Sequence, residues 1–144
     1  MSGLLSKTAE YGMRAVLYIA LNQSNNKKYK KRISTKDIAK NLKVPYHFLA
    51  KVIQKLVKAG IIHSKRSKNG GFFLKKSPEK VKLLDVVLAL EGKELFTDCV
   101  LGLPNCSDKN PCPVHDYWKV IREEIKQMLS DKTVKELLNG EFKI

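Results

Sequence analysis

The spacing of apolar positions predicts that the N-terminal half of the chain is helical. From Ser6 to about Asn22 apolar residues recur every three or four positions, and Ser6 is suited to cap the first turn. A second, short helix begins after Ser34, which is followed three positions later by the acid of a capping box. A third helix has Pro45 at its first position, carries a continuous apolar stripe and ends before Gly60. Two short helices joined by a tight turn form a helix-turn-helix.

Two short apolar runs after these helices predict a β-hairpin. The strands are expected at Ile61–Ser64 and Phe72–Leu74, with Asn69, Gly70 and Gly71 forming the turn. A helix-turn-helix followed by a basic hairpin indicates a winged helix, in which the second helix enters the major groove of DNA and a wing arginine reaches the minor groove. Polar residues on one helix face are also typical of simple solvent exposure, and the basic hairpin favours the DNA-binding interpretation. The predicted DNA-binding residues are Thr35, Tyr46, His47, Lys51, Gln54, Lys65, Arg66 and Lys68.

The C-terminal part contains a strongly apolar helix, a loop and a long amphipathic helix. The helix around Val81–Leu90 is expected to pack behind the winged helix. The long helix suits either an intrachain core or, as we expect, the contact surface of a homodimer; its apolar stripe consists of Val114, Trp118, Ile121, Ile125, Met128 and Leu129. A short helix at Val134–Leu138 follows. The predicted fold is mostly α with a small β-hairpin wing: a winged helix-turn-helix at 1–92, a cysteine loop at 93–116 and a C-terminal dimerisation helix at 117–144.

Charge is concentrated in the middle of the chain. The net charge of the 144 residues is +14, and residues 26–82 contain 18 lysines or arginines against two acids. A basic middle beside a mildly acidic end predicts a module that binds a polyanion, and nucleic acid suits this better than a membrane surface. DNA is favoured over RNA because no sheet with stacking aromatic residues is evident. The sequence shows neither a long apolar run nor a signal peptide, so we expect a cytoplasmic protein.

The three cysteines fall in one turn-rich loop, CVLGLPNCSDKNPCPVH. Cys99, Cys106 and Cys112 are separated by six and five residues, wider than the ligand pairs of a zinc finger. Such spacing suits an iron–sulfur cluster and leaves one ligand to be supplied by another side chain. His115 is the local candidate, and three aspartates are within reach, namely Asp98, Asp108 and Asp116. A cluster-free thiol-redox regulator or a zinc-binding regulator are the alternatives.

A catalytic role is a further alternative for this loop. Cys112 could act as a nucleophile with His115 as its base. Nothing in the sequence resembles a third orienting group or a substrate pocket. We therefore predict that the chain is not an enzyme.

The sequence resembles the Rrf2 family of winged-helix transcriptional regulators, which includes the iron–sulfur regulator type IscR and the nitric-oxide-sensing type NsrR. The resemblance covers nearly the whole chain, and its motifs are KTAEYGMRAVLYIA, ISTKDIAKNLKVPYHFLAKVIQKLVKAGII, KRSKNGGFFL, LLDVVLALEG and the loop ending in CPVH. It implies a homodimer that binds a palindromic operator on double-stranded DNA and holds one [2Fe-2S] or [4Fe-4S] cluster per subunit. Promoter binding would then respond to nitric oxide, redox state or iron–sulfur status.

The same resemblance implies particular ligands. The three cysteines match the family's cysteine ligands, and His115 matches the histidine of the IscR type. Glu10 lies where the NsrR type has an acidic ligand on its first helix, which the partner subunit can donate. Two features depart from the family pattern: the first gap of the cysteine loop is one residue longer, and Ser67 replaces the usual glycine after Arg66.

Overall fold

The computed structural model describes residues 4–25, 33–66, 71–140 and 144. Helix α1 spans Lys7–Asn25, and the Ser6 hydroxyl accepts a hydrogen bond from the Ala9 amide at 3.1 Å, as the sequence predicts for a cap. The helix continues three residues beyond its predicted end. The lysine-rich residues 26–32 that follow lie outside the described residues.

The helix-turn-helix consists of α2 (Thr35–Leu42) and α3 (Tyr46–Lys58). The predicted capping box is present, because the Ser34 hydroxyl and the Asp37 carboxylate each accept the other residue's backbone N–H. The turn passes through Lys43 in a left-handed conformation, with φ of 55°. Pro45 is the residue before α3 and not its first residue. Gly60 ends this helix with φ of +78°, a conformation that favours glycine.

The wing is an antiparallel hairpin of β1 (Ile62–Lys65) and β2 (Gly71–Leu74). Each strand lies within one residue of its prediction, and Lys65 pairs with Gly71 at the end of the ladder. The predicted turn through residues 67–70 lies outside the described residues. Two bonds join β2 to the rest of the domain: the Leu74 amide donates to Gln23 Oε1 at 2.9 Å, and the Phe72 amide donates to the Ile33 carbonyl at 2.8 Å. The wing is therefore held directly by α1 and by the segment before α2.

A first core joins these elements around α1. Helix α4 (Leu83–Glu91), which follows a 3₁₀ turn at Pro78–Lys80, packs against both α1 and α3. Gly12 lies where α1 crosses α4, and a Cβ atom at this position would collide with the Leu90 side chain. The fully buried members of this core include Ile19, Ile38, Leu49, Leu56, Ile62 and Val86. The structure thus confirms that α4 packs behind the winged helix.

A second core lies on the other side of α4. It contains Val87, Phe96 from a 3₁₀ turn at Glu94–Phe96, and Ile125 and Leu129 from α5 (His115–Asp131). Burying side chains of this size contributes roughly 1.5–3 kcal/mol each, so α5 is firmly attached to α4. The final helix α6 (Val134–Leu138) returns to the first core. None of the helices in the described part of the chain is long and apolar enough to cross a membrane.

The apolar stripe predicted as a dimer contact divides between two faces of α5. Ile125 and Leu129 are buried within the chain, and Trp118 packs beside them. The apolar residues on the outer face are exposed; they are Val114, Tyr117, Val120, Ile121 and Met128. The predicted stripe therefore combines residues of a buried face and of an exposed face. Apolar residues on either face recur at spacings of three or four, so the spacing does not separate them.

Candidate DNA interface and metal centre

A groove between the helix-turn-helix and the wing brings together half of the predicted DNA-binding residues. Its volume is about 540 Å³. Thr35, Tyr46, Lys65 and Arg66 all line it. The Lys65 ammonium lies 5.2 Å from the centre of the Phe73 ring, which orients this lysine along the wing. Two helices and a strand thus present polar and cationic groups to one concave surface.

The remaining predicted contacts lie on α3 or in the wing turn. His47, Lys51 and Gln54 are exposed and follow one another by four and then three residues, so they share one face of α3. Lys68 lies outside the described residues. Lys36 also lines the groove and was not predicted. Its position beside Thr35 at the start of α2 was the available signal, because helix N-termini commonly contact phosphate.

The cysteine loop folds so that its three sulfur atoms converge. The Sγ atoms of Cys99, Cys106 and Cys112 all lie within 4.8 Å of one another, and those of Cys99 and Cys112 are 3.7 Å apart. Gly102, with φ of +71°, turns the chain back after Cys99 and donates its amide to the Cys99 carbonyl at 2.9 Å. Among the described residues, these cysteines are the group of side chains suited to hold a metal ion.

The loop also adjusts the acidity of its thiols. Backbone hydrogen bonds from Leu103 and Leu101 lower the pKa of Cys99 to about 7, despite the opposing effect of burial. The pKa of Cys106 is raised: the Cys112 backbone N–H lowers it, but burial and the neighbouring thiols outweigh this bond. A thiolate is the form of cysteine that binds metal. The loop therefore favours ionisation of Cys99 before that of Cys106.

His115 is buried at the start of α5 and faces the sulfur group. Its Nδ1 lies 3.2 Å from Cys106 Sγ, and its Nε2 lies 2.8 Å from Asp108 Oδ1. Lys119 Nζ reaches both oxygens of the same carboxylate, at 2.9 and 3.1 Å. These hydrogen bonds, first from His115 and then from Lys119, lower the pKa of Asp108 to about 2. A carboxylate therefore joins two residues of α5 to the middle of the loop.

Two further residues of α5 hold the start of the loop. The Trp118 indole N–H donates to the Asp98 carbonyl at 2.9 Å. Arg122 Nη1 donates to the carbonyls of Thr97 and Asp98 at 3.0 and 3.1 Å. The backbone immediately before Cys99 is thereby fixed on the helix. The one-turn spacing of His115, Lys119 and Arg122 was a signal in the sequence that these residues share a face.

The other candidate ligands lie apart from this arrangement within the protomer. Glu10 accepts a hydrogen bond from Lys7 at 3.1 Å in the first turns of α1. Asp98 binds the Thr97 hydroxyl, and Asp116 is an exposed residue of α5. None of these three carboxylates belongs to the sulfur group among the described residues.

A winged helix-turn-helix, a basic groove and a cysteine group on a loop fixed to α5 define a DNA-binding regulator with a candidate metal centre. The sequence profile of Rrf2, described as "Iron-dependent Transcriptional regulator", matches residues 5–140. The chain belongs to the Rrf2 family of transcriptional regulators. Regulators of this family bind DNA, and the proteins similar to this chain are regulators and not enzymes, as the sequence predicts.

Two relatives and one solved structure illustrate the similarity. A candidate HTH-type transcriptional regulator of Aquifex aeolicus is 33% identical over 142 residues, which cover 97% of this chain and 94% of the relative. The HTH-type transcriptional regulator NsrR of Shouchella clausii is 30% identical over 138 residues, covering 95% and 89% of the two chains. The structure of CymR, the global cysteine regulator of B. subtilis, superimposes with a TM-score of 0.74 at 24% identity, covering 94% and 95%. This last likeness establishes the fold.

Proposed function

We propose that the chain is a homodimeric transcriptional regulator whose promoter binding is controlled by an iron–sulfur cluster. The convergence of three cysteine sulfurs within 4.8 Å, on a loop fixed to α5, is the observation that carries this proposal. Thiolate donors fit iron, and the family description as iron-dependent supports the same metal. The signal would be nitric oxide, redox state or iron–sulfur status, and the similarity to a protein named NsrR supports the first of these.

The proposed ligands are Cys99, Cys106 and Cys112 with either His115 or Glu10 as the fourth. The 3.2 Å separation of His115 Nδ1 from Cys106 Sγ favours the histidine. Glu10 would act from the partner subunit, as the family resemblance implies. A bound cluster would supply a redox-active and nitric-oxide-reactive centre. A cavity of about 340 Å³ is lined in part by Cys106 and Cys112, and small molecules would approach the cysteine group through it.

The response would reach DNA through packed helices. Trp118 and Arg122 connect the loop to α5, which shares the second core with α4, and α4 packs against α3. A change in the loop would therefore shift α5 and α4 relative to the recognition helix. A difference of 1–3 kcal/mol between two arrangements would change operator affinity by roughly 5- to 150-fold.

The dimer contact is proposed to be the outer face of α5, with a second copy of the chain as its occupant. Tyr117 and Val120 are 76% and 59% exposed there, and Met128 is 61% exposed. A groove of about 600 Å³, lined by Phe96 and Val120 together with charged and amide side chains of α5, adjoins this face. Two-fold symmetry would place two α3 helices on a palindromic operator.

A single-metal site is the second candidate for the cysteine group. With metal–sulfur bonds of about 2.3 Å, two thiolates on one tetrahedral ion lie about 3.8 Å apart. The separation of 3.7 Å between Cys99 and Cys112 Sγ fits this value. Two thiolates on one iron of a [2Fe-2S] cluster have the same geometry, so the distance agrees with both, and also with a thiol-redox pair.

Anaerobic purification followed by absorption spectroscopy, with iron, sulfide and zinc analysis, separates these candidates. The cluster proposal predicts a coloured protein containing iron and acid-labile sulfide. A colourless protein with zinc would support the single-metal site, and one without metal would support thiol-redox control. Spectra of Glu10→Ala and His115→Ala identify the fourth ligand: the change that alters the spectrum marks the ligand, and no change in either removes both assignments.

A further inference from the structure

The carboxylate of Asp108 belongs neither to the group of three sulfur atoms nor to the DNA interface, yet it makes specific contacts with α5. Asp108 lies in the middle of the loop, between Cys106 and Cys112, and its carboxylate turns back to α5. One of its oxygens lies 2.8 Å from His115 Nε2, and Lys119 binds both oxygens. The Asp108 side chain is largely exposed, whereas the His115 side chain is 7% exposed. The carboxylate therefore closes the solvent side of a buried imidazole.

The chemistry of this pair determines which imidazole nitrogen carries the proton. An ionised carboxylate accepts hydrogen bonds and donates none. Nε2 must therefore hold the proton that Asp108 accepts. In the neutral imidazole the other nitrogen, Nδ1, then carries the lone pair, and it faces Cys106 Sγ at 3.2 Å. A histidine that binds a metal through one nitrogen usually donates its other N–H to a carboxylate, carbonyl or water.

We propose that Asp108, held by Lys119, is a positioning residue that fixes His115 with Nδ1 directed into the cysteine group as the fourth ligand. This inference rests on the proposed metal function of that group and deepens it. Asp108 is not itself a ligand in this arrangement, because its carboxylate is directed to Nε2 and Lys119. Among the three aspartates within sequence reach, the structure selects the one that orients the histidine.

The first test needs no metal. In the apo protein at about pH 8, where histidine is ordinarily neutral, nitrogen-15 NMR of the imidazoles reports which nitrogen is protonated. The chain has three histidines, so a His115→Ala spectrum assigns the signal. We expect His115 to be protonated at Nε2, and Asp108→Asn to shift it toward a mixture of tautomers. Protonation at Nδ1, or an unchanged signal in Asp108→Asn, would overturn the proposal.

The second test measures metal affinity with Co²⁺, in competition with a chromophoric chelator. Asp108→Asn should weaken binding by about 10- to 100-fold while retaining tetrahedral cobalt bands. Lys119→Gln should weaken it less, and Asp116→Asn, the matched loss of an exposed carboxylate on α5, should not change it. If Asp108→Asn lowered Co²⁺ affinity while His115→Ala left it unchanged, Asp108 and not His115 would be the fourth ligand, and the proposal would be overturned.

The two tests separate this inference from the proposed function. If the wild type binds cobalt no better than Cys106→Ser, the metal function fails, while the NMR result still decides the orientation of His115. If cobalt binds tightly but Asp108→Asn and Asp116→Asn behave alike, the metal function stands and the role of Asp108 fails.

Discussion

Arg66 is the residue at which the DNA-binding account is most easily tested. It is exposed at the end of β1 and lines the groove together with Thr35 and Tyr46. We expect Arg66→Ala to weaken operator binding by about 1–3 kcal/mol, because a groove-directed arginine loses both charge and base-edge contact. Lys51→Ala should have a smaller effect and reduce the salt dependence by about one ion. Fluorescence anisotropy at physiological salt measures the affinities, and a series of salt concentrations measures the salt dependence. Unchanged affinity of a folded Arg66→Ala variant would exclude a wing contact.

Arg122 tests whether α5 fixes the cysteine loop. Its guanidinium binds the carbonyls of Thr97 and Asp98, directly before Cys99. We expect Arg122→Gln to accelerate amide hydrogen exchange around Cys99, since this segment loses charge-assisted hydrogen bonds. Lys126→Gln, an exposed substitution one turn further along α5, is the matched control. Exchange rates around Cys99 are measured by mass spectrometry. Equal rates in the two variants would show that Arg122 does not fix this segment on α5.

Side-chain chemistry was easier to predict from the sequence than side-chain partnership. The convergence of the three sulfurs was predictable, because the cysteines share one short loop. The pairing of Asp108 with His115 was not, since three aspartates have similar sequence separations and only the folded turn determines which carboxylate faces the ring. Trp118 was predicted in a dimer contact, and nothing in the sequence indicated that its indole N–H donates to the Asp98 carbonyl.

Among the elements, the crossing of α1 and α4 depends on the absence of a side chain at Gly12. A Cβ atom there would meet Leu90 and approach Val52 at 3.4 Å. We expect Gly12→Ala to lower the free energy of unfolding by about 1–3 kcal/mol, although alanine favours helix. Urea unfolding measures this change. The double variant with Leu90→Ala should recover part of the loss, and a Gly12→Ala protein as stable as the wild type would show that the crossing has room.

The outer face of α5 is the element on which the proposed homodimer depends. Ile121 is 47% exposed in the protomer, so the fold should tolerate a charge at this position. An apolar dimer interface would instead bury that charge without a partner, which destabilises the dimer. We expect Ile121→Glu to produce a folded monomer that binds the palindromic operator less tightly. Light scattering after size-exclusion chromatography measures the mass, with Lys126→Gln as the control. A dimeric Ile121→Glu protein would place the contact elsewhere.

Helix identity was predictable along most of the described chain, while ends and faces were less so. The capping box at Ser34 and Gly60 after α3 located these boundaries, because both have strong local chemistry. Helix α1 lacks such a stop signal at Asn22 and continues to Asn25. The stripe on α5 was ambiguous because apolar residues on two adjacent helix faces recur with the same three- and four-residue spacing. Only the packing of Ile125 and Leu129 against Phe96 shows which face is internal.

At the scale of the whole molecule, helix α4 joins the basic winged helix to the part of the chain that carries the cysteine group, and Met13 of α1 also packs against both cores. Helix α4 contributes Val86 to the core of the winged helix and Val87 to the core that holds α5. Two adjacent residues of α4 therefore belong to the two cores that the proposed regulation would couple. Charge is divided in the same way between the two parts. The basic residues are concentrated in residues 26–82, and the cysteine group lies in the mildly acidic remainder.

The most direct test of cluster-controlled DNA binding is operator affinity measured on one anaerobic preparation before and after removal of its metal by a chelator. Absorption, iron and sulfide are recorded for each form, and Cys106→Ser serves as a variant without the centre. Cluster control predicts an iron- and sulfide-containing protein whose operator affinity changes by at least about fivefold when the metal is removed, in whichever direction the regulator operates. It also predicts that Cys106→Ser behaves like the treated protein. Equal affinity in both forms, or a protein purified without iron, would contradict it.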